Sequence, residues 1–283
     1  MRGSVLLRAA DVEFGYGAAP VLRGVSLEIP AGGFAGILGP NGSGKTTMLK
    51  VLAGTLRPSR GSVTIDGRDV AHTPRAALAR RLAVVPQETH LAFDYRVLEV
   101  VLMGRYPHLG AFEIEGPRDF VIAREALEAT GTLAFEDRPF GTLSGGEKQR
   151  VIIAAALAQI GATRSEAGAG RDPGGAILLL DEPTAALDLA YQIELATLLR
   201  DLQQRLPITV VITTHDLNFA AAICRTLVML ESGRVLASGP TGDVLTAANV
   251  RRLYGVNADI HRHGPGGRLV VVPLSRAADG PAA

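Results

Sequence analysis

The chain opens with short apolar runs that alternate with polar positions and end on turn residues. Residues 6–14, residues 25–29 closed by Pro30, and residues 62–65 closed by Asp66-Gly67 have the punctuation of antiparallel strands and hairpins. A different signal interrupts them. Residues 34–38, FAGIL, form a continuous apolar run followed by a glycine-rich turn, after which Met48, Leu49, Leu52 and Leu56 recur at helical spacing. From about residue 97 to residue 157 strand signals give way to helical ones, with residues 123–129 amphipathic and an apolar face along residues 147–157. Two almost purely apolar runs follow, residues 177–180 and 208–212, separated by a helical pattern from Tyr191 to Leu202. Strands of that kind suit a parallel sheet covered on both faces. The pattern predicts an α/β core carrying antiparallel strands and an inserted helical subdomain at about residues 95–157. Residues 161–175, rich in glycine, alanine and charge, read as an exposed, mobile loop. Beyond about residue 255 the tail adds a strand-like run at 269–272 and then a small-residue end expected to be disordered.

Composition narrows the function classes. At 283 residues, 47% apolar and 20% charged, the chain is globular in composition and long enough for one large domain or two small ones. No run approaches the roughly 20 apolar residues that span a bilayer. The first ten residues lack the apolar stretch of a signal peptide, so a cytosolic location is expected. A net charge of +1 argues against a polyanion as main partner, and no nucleic-acid partner is expected. Arg80 and Arg81, the densest early basic cluster, read as a solvated helix face. The single cysteine, Cys224, can form no internal disulfide, and its neighbours Ala221, Ala222 and Ile223 mark it as a packing residue.

Three strings carry chemistry. Gly39-Pro40-Asn41-Gly42-Ser43-Gly44-Lys45-Thr46 has the spacing of a P-loop, with a strand entering and a helix leaving. Backbone N–H groups in such a turn wrap a polyphosphate at the positive end of a helix, Lys45 supplies a point charge, and the Thr46 hydroxyl suits Mg²⁺. These residues and the adjoining Thr47 are the expected ATP contacts. Asp181 and Glu182 follow an apolar strand, at the end where open α/β sheets place ligands. Adjacent acids in a strand point opposite ways and so have separate tasks: Asp181 in the magnesium shell, Glu182 orienting an attacking water. The third string, Leu143-Ser144-Gly145-Gly146-Glu147, is at once a capping box, Ser-x-x-Glu, and something more. Two glycines in a first helical turn cost roughly 1 kcal/mol each against alanine, and they admit an anion to the backbone amides.

The string from Leu143 to Arg150, LSGGEKQR, resembles the signature motif of ABC ATPases, and the motifs around it follow in that family's order. Tyr16 resembles the aromatic residue that stacks on adenine, Gln87 the Q-loop glutamine, the segment from Ala185 to Asp188 (AALD) the D-loop, and His215 the switch histidine. The resemblance covers about residues 6–254. It implies an ABC ATPase fold: α/β, a P-loop NTPase core with an antiparallel β subdomain and an inserted helical signature subdomain. Residues 1–255 form the nucleotide-binding domain and residues 256–283 a short C-terminal extension. The implied catalytic residues are Glu182, His215 and Gln87, the implied magnesium ligands Thr46, Gln87 and Asp181, and the cofactors ATP and Mg²⁺. Two subunits are implied to pair head to tail, so that Ser144, Gly145, Gly146 and Glu147 of one meet the γ-phosphate held by Lys45 of the other. The sequence departs from the family in Ala185, where a serine is usual, and in a lengthened segment after Ala158.

Within the family, residues 97–108 (VLEVVLMGRYPH) and Leu217-Asn218 after His215-Asp216 resemble importers of iron chelates, haem and cobalamin. That resemblance implies a homodimer on the cytoplasmic face of the cell membrane, working with integral permease subunits and, indirectly, a periplasmic or surface substrate-binding protein. Tyr95, Arg105 and Tyr106 are the candidate lining of a groove for a permease helix, with Leu98, Val101 and Leu102 facing inward. Three rivals fit less well. A DNA-repair ATPase needs a long coiled coil, a translation-associated ABC protein needs two ATPase units, and a non-hydrolysing scaffold has no use for Glu182 and His215.

Overall fold

The structure is a computed structural model that describes residues 5–89, 91–166, 175–185, 187–264 and 267–277. The chain divides into two compact units, residues 1–72 with 211–283 and residues 73–210.

The first unit begins with β1 (Val5–Tyr16) and β2 (Ala19–Pro30), an antiparallel pair in which Leu7 faces Ile29. Then come β3 (Phe34–Leu38), buried along its whole length, and α1 (Lys45–Leu52), followed by β4 (Arg60–Ile65) and β5 (Arg68–Asp69). β2, β1, β4 and β5 make a four-stranded sheet in that order. Helix α1 stops at Leu52, and Gly54 beyond it adopts φ 68°, so Leu56 lies outside the helix that its spacing predicts.

The second unit holds α2 (Arg75–Arg81), β6 (Leu82–Val85), α3 (Val97–Leu102), α4 (Pro117–Ala129), α5 (Gly145–Gln159), β7 (Ala176–Asp181) and α6 (Leu189–Arg205). β6 runs parallel to β7, with Val85 beside Leu180. The apolar run of β7 is buried at every residue, as a strand covered on both faces must be. α5 packs on α3 and α4, and Gln159 at its end donates from Nε2 to Ala79 O and Leu82 O, tying the helical part to β6. The division between the units falls inside β8 (Ile208–Thr214), itself buried throughout.

Past β8 the first unit resumes with α7 (Leu217–Ile223), β9 (Thr226–Glu231), β10 (Arg234–Pro240), α8 (Thr241–Val244), α9 (Ala247–Tyr254), β11 (Val256–His263) and β12 (Arg268–Arg276). β9 pairs parallel with β3 and antiparallel with β10, and β11 and β12 form a hairpin. The strand-like run near residue 269 is thus one arm of a hairpin packed on α7 and α9. The expected disordered end, residues 278–283, lies outside the described residues. Cys224 is buried, and burial holds its thiol far above the ordinary range, in keeping with a packing residue.

Two expectations change in the second unit. Arg105 does not line a groove: it is 3% exposed. Its Nε donates to Asp119 Oδ1 at 2.9 Å, its Nη1 to Ala158 O at 2.7 Å, and its two terminal nitrogens to the Glu166 carboxylate at 3.3 and 3.2 Å. Sequence spacing puts Arg105 beside Tyr106, but a buried guanidinium needs paired carboxylates, and tertiary folding supplies them. Tyr106 is 59% exposed and Leu98 only half-buried, while Val97, Val100, Val101 and Leu102 are core. The segment that reads as an exposed loop starts as a fixed structure. Ala162 and Thr163 are buried, Ser165 donates from N–H and Oγ to the Glu125 carboxylate, and Glu166 closes on Arg105. Residues 167–174 lie outside the described residues.

Burial opposes ionisation of Asp119, but the hydrogen bonds from Arg105 and from the Gly116 N–H outweigh it and hold the carboxyl below its usual range. A depressed folded-state pKa contributes stability above the unfolded value, and the contribution disappears as pH falls through the folded one. Asp119→Asn should therefore cost about 1–3 kcal/mol at pH 7, and the gap in melting temperature to the parent should close toward pH 3. A gap independent of pH would show that the charge on Asp119 contributes nothing.

Candidate functional site

In the first unit the glycine-rich turn leaves β3 at Leu38 and enters α1 at Lys45. The turn is pressed against β9 and the bend after it: a Cβ on Gly39 would lie 2.6 Å from Leu230 O and 2.3 Å from Ser43 Oγ. Gly233 N–H donates to Ser43 O at 3.1 Å, which anchors the far side. Gly44, the N-cap, sits at φ 102°, open to glycine and strained for other residues, and offers no side chain to the first turn of α1. The Lys45 ammonium reaches back to Gly39 O at 2.9 Å and Pro40 O at 3.2 Å, so the charge lies along the loop rather than in solvent. Ser43 Oγ is buried with no hydrogen-bond partner among the described residues, an arrangement that fits a polar ligand in the cradle. Thr46 stands at the start of α1 and Thr47 is buried behind it. Tyr16, 53% exposed, ends β1 with its ring edge-on to Phe14. His215 follows β8 and precedes α7, held between Thr214, whose Oγ1 accepts from the Asp216 N–H, and Asp216, which caps the helix.

In the second unit the parallel register of β6 and β7 brings Gln87 and the Asp181-Glu182 pair out at the same edge. Asp181 and Glu182 are 7% and 6% exposed. The separation of their tasks does not come from strand alternation. β7 ends at Asp181, and Glu182 stands beyond it at φ 46°, a left-handed conformation costly for a residue with a Cβ.

Ser144 caps α5 as its sequence reads: its Oγ accepts from Glu147 N–H at 3.3 Å and Glu147 Oε2 accepts from Ser144 N–H at 2.7 Å. The two glycines divide their reasons. A Cβ on Gly146 would come 2.4 Å from the Tyr191 ring, whereas one on Gly145 would meet only Leu187 Cδ2 at 4.0 Å. Asp188 fixes Tyr191 in turn, accepting from the Tyr191 N–H at 3.0 Å as the N-cap of α6. No sequence rule pointed to Tyr191. Its closeness to Gly146 appears only when α5 and α6 are folded together. Ala186, within the D-loop string, lies outside the described residues.

The first unit thus holds a glycine-rich turn at a helix N-terminus, and the second a strained buried carboxylate and a capped Ser-Gly-Gly turn. The sequence model described as ABC transporter matches residues 22–162, and one for an AAA domain matches residues 137–221. The hemin import ATP-binding protein of Gloeobacter violaceus is 42% identical over 272 residues, 96% of this chain and 95% of its own. The chain belongs to the ABC transporter family. The ferric enterobactin transport ATP-binding protein of Escherichia coli is 36% identical over 96% of this chain and 95% of its own. Among solved structures, an ABC transporter described as of the metal-chelate type, in an inward-facing conformation, superposes with a TM-score of 0.80 at 30% identity, covering 97% of this chain and 98% of that one. As a member of this family the chain is an ATP-binding, ATP-hydrolysing subunit with the ABC ATPase fold. Among the described residues no helix is long and apolar enough to cross a membrane.

The packing of Tyr191 separates the signature glycines experimentally. Gly146→Ala should push the ring aside and lower stability by about 1–3 kcal/mol, while Gly145→Ala, free of any clash, should be as stable as the parent or more stable by up to about 1 kcal/mol. Equal losses in thermal melting would mean that Gly146 is not selected by Tyr191.

Proposed function

We propose that this chain powers an importer of metal chelates, with haem the first candidate cargo, as a homodimer bound to permease subunits on the cytoplasmic face of the cell membrane. The observation that carries this reading is sequence identity of 41–42% along 94–96% of the chain to relatives named hemin import ATP-binding proteins. Relatives named for ferric enterobactin transport and cobalamin import, at 36% and 37% identity, make iron chelates and cobalamin the next candidates.

In this reading the backbone of Gly39–Lys45 and the Lys45 ammonium bind the β- and γ-phosphates, and Tyr16 stacks on adenine. Thr46, Gln87 and Asp181 would hold Mg²⁺, which would supply positive charge against the phosphates. Among the described residues no three His, Cys, Asp or Glu side chains gather as a metal cage, and a phosphate-bound magnesium needs none, since phosphate and water oxygens fill most of its shell. Glu182 orients and polarises the attacking water, and His215 contacts the γ-phosphate. Catalysis of in-line phosphoryl transfer then rests on positioning and charge stabilisation.

Head-to-tail pairing has support within the second unit. Ser144 and Gly145 are exposed at the start of α5, and Leu189 and Ile193, one turn apart on α6 beside Asp188, are exposed apolar side chains at 72% and 60%. Apolar surface next to a signature turn suits a partner subunit. Tyr106 and Phe93, both exposed on the helical part after the Q-loop, suit a helix of the permease.

The test is reconstitution with the cognate permease and substrate-binding protein. Haem-loaded binding protein should stimulate ATP hydrolysis and drive uptake, and Glu182→Gln should bind Mg-ATP, accumulate as an ATP-bound dimer and abolish uptake. Stimulation by a ferric siderophore or cobalamin instead would reassign the cargo. Near-parental turnover by Glu182→Gln would remove the catalytic assignment.

A further inference from the structure

Asn218 makes a two-point contact with the C-terminal hairpin. Its Nδ2 donates to Val271 O at 3.1 Å and its Oδ1 accepts from the Val271 N–H at 2.9 Å. The carboxamide thus satisfies both backbone groups of a residue whose own side chain is buried at 3% exposure. Val271 faces Ile260 across the β11–β12 ladder, and among the described residues no further strand joins this two-stranded sheet. Asn218 stands in for a neighbouring strand at that point. The chemistry is selective: a carboxamide offers a donor and an acceptor side by side, an aspartate offers no donor, and an alanine offers neither.

The same residue lies in the first turn of α7, three positions past His215. On one side of His215, Thr213 and Thr214 end β8 and are fully buried, so the strand is fixed by packing. On the other side α7 is only seven residues long, and its first turn is held by the Asp216 cap and by the hairpin's grip on Asn218. Phe219 and Ala220 bury the inner face of α7, and the Asn218 contact adds a directional tie at the turn nearest His215.

We propose that Asn218 is a positioning residue for ATP hydrolysis: through it the β11–β12 hairpin fixes the first turn of α7, and so the reach of His215 toward the γ-phosphate. This rests on the reading of His215 as the γ-phosphate contact. It also gives the C-terminal extension a part in the chemistry, since β12 holds the first turn of α7 through the Asn218 carboxamide as well as through packing.

The experiment uses the full-length chain and compares Asn218→Ala, Asn218→Asp, His215→Ala and the Asn218→Ala/His215→Ala double variant by ATPase kinetics, nucleotide affinity and thermal melting. Asn218→Ala should lower kcat on the order of tenfold, with KM within about twofold, as expected when hydrogen bonds that orient a reacting group are lost. Asn218→Asp, equal in shape but placing a second oxygen against Val271 O, should be at least as impaired. The double variant should match the residual turnover of His215→Ala, because a residue that acts through His215 has nothing left to position. Parental kcat in both Asn218 variants, or additive losses in the double variant, would overturn the proposal while leaving His215 in place. A loss of kcat accounted for by unfolded protein in both variants would overturn it equally. Parental turnover by His215→Ala would instead remove the assignment of His215.

Discussion

In the proposed function, holding a polyphosphate by the peptide backbone constrains the first unit more than any other requirement. Several N–H groups must converge on one anion, so the chain must turn without side chains in the way and then start a helix. β3 and β9 supply the rigid wall against which Gly39 is packed, Gly233 pins the far side of the turn, and Gly44 takes a conformation that favours glycine. The antiparallel sheet built from β1, β2, β4 and β5 carries Tyr16 at the end of its first strand, and β8 delivers His215. Flexibility in any of these would blur the position of the phosphate, and continuous burial of β3 and β8 prevents it.

The second unit solves a different problem, the rigid presentation of exposed groups. Ser144 and Gly145 reach solvent at the head of α5, behind them Gly146 is wedged by Tyr191, and Asp188 holds Tyr191 in turn. Tyr106 is exposed, and Arg105 beside it is buried, clamped by Asp119, Glu166 and Ala158 O. Replacing that charged cluster by apolar residues need not weaken the fold, whereas removing one member strands the others. Its evident use is geometric: it fastens the start of the lengthened segment to the helix turn that carries Tyr106.

Contiguous strings were legible before folding. The P-loop, the Asp181-Glu182 pair and the capping box are each complete within a few residues, and β7 and β8 announce themselves as unbroken apolar runs. What escaped was set by partners distant in sequence. Arg105 meets Glu166 61 residues away and Asn218 meets Val271 53 residues away, and neither meeting leaves a periodic trace. β11, VNADIHRH, alternates only through Val256, Ala258 and Ile260, of which Ala258 alone is buried, and its second half is exposed and polar, so the strand signal is short and weak. The strained backbone of Glu182 was invisible for another reason: an unfavourable φ is paid for by surrounding structure, and nothing in the residue type records it.

In the proposed head-to-tail dimer, a nucleotide shared between two subunits joins the P-loop of one chain and the signature turn of another. Lys45→Ala damages the phosphate cradle, and Ser144→Arg places bulk and positive charge at the turn that must close over a partner's nucleotide. The direct measurement is ATP turnover by mixed dimers of the two variants, isolated with two different affinity tags so that pairing is established independently. Head-to-tail sharing predicts that both homodimers are inactive and that turnover returns in the mixed dimer, where one site carries both defects and the other neither. Isolated mixed dimers as inactive as the parents, or a Ser144→Arg homodimer that hydrolyses ATP like the unmodified chain, would contradict it.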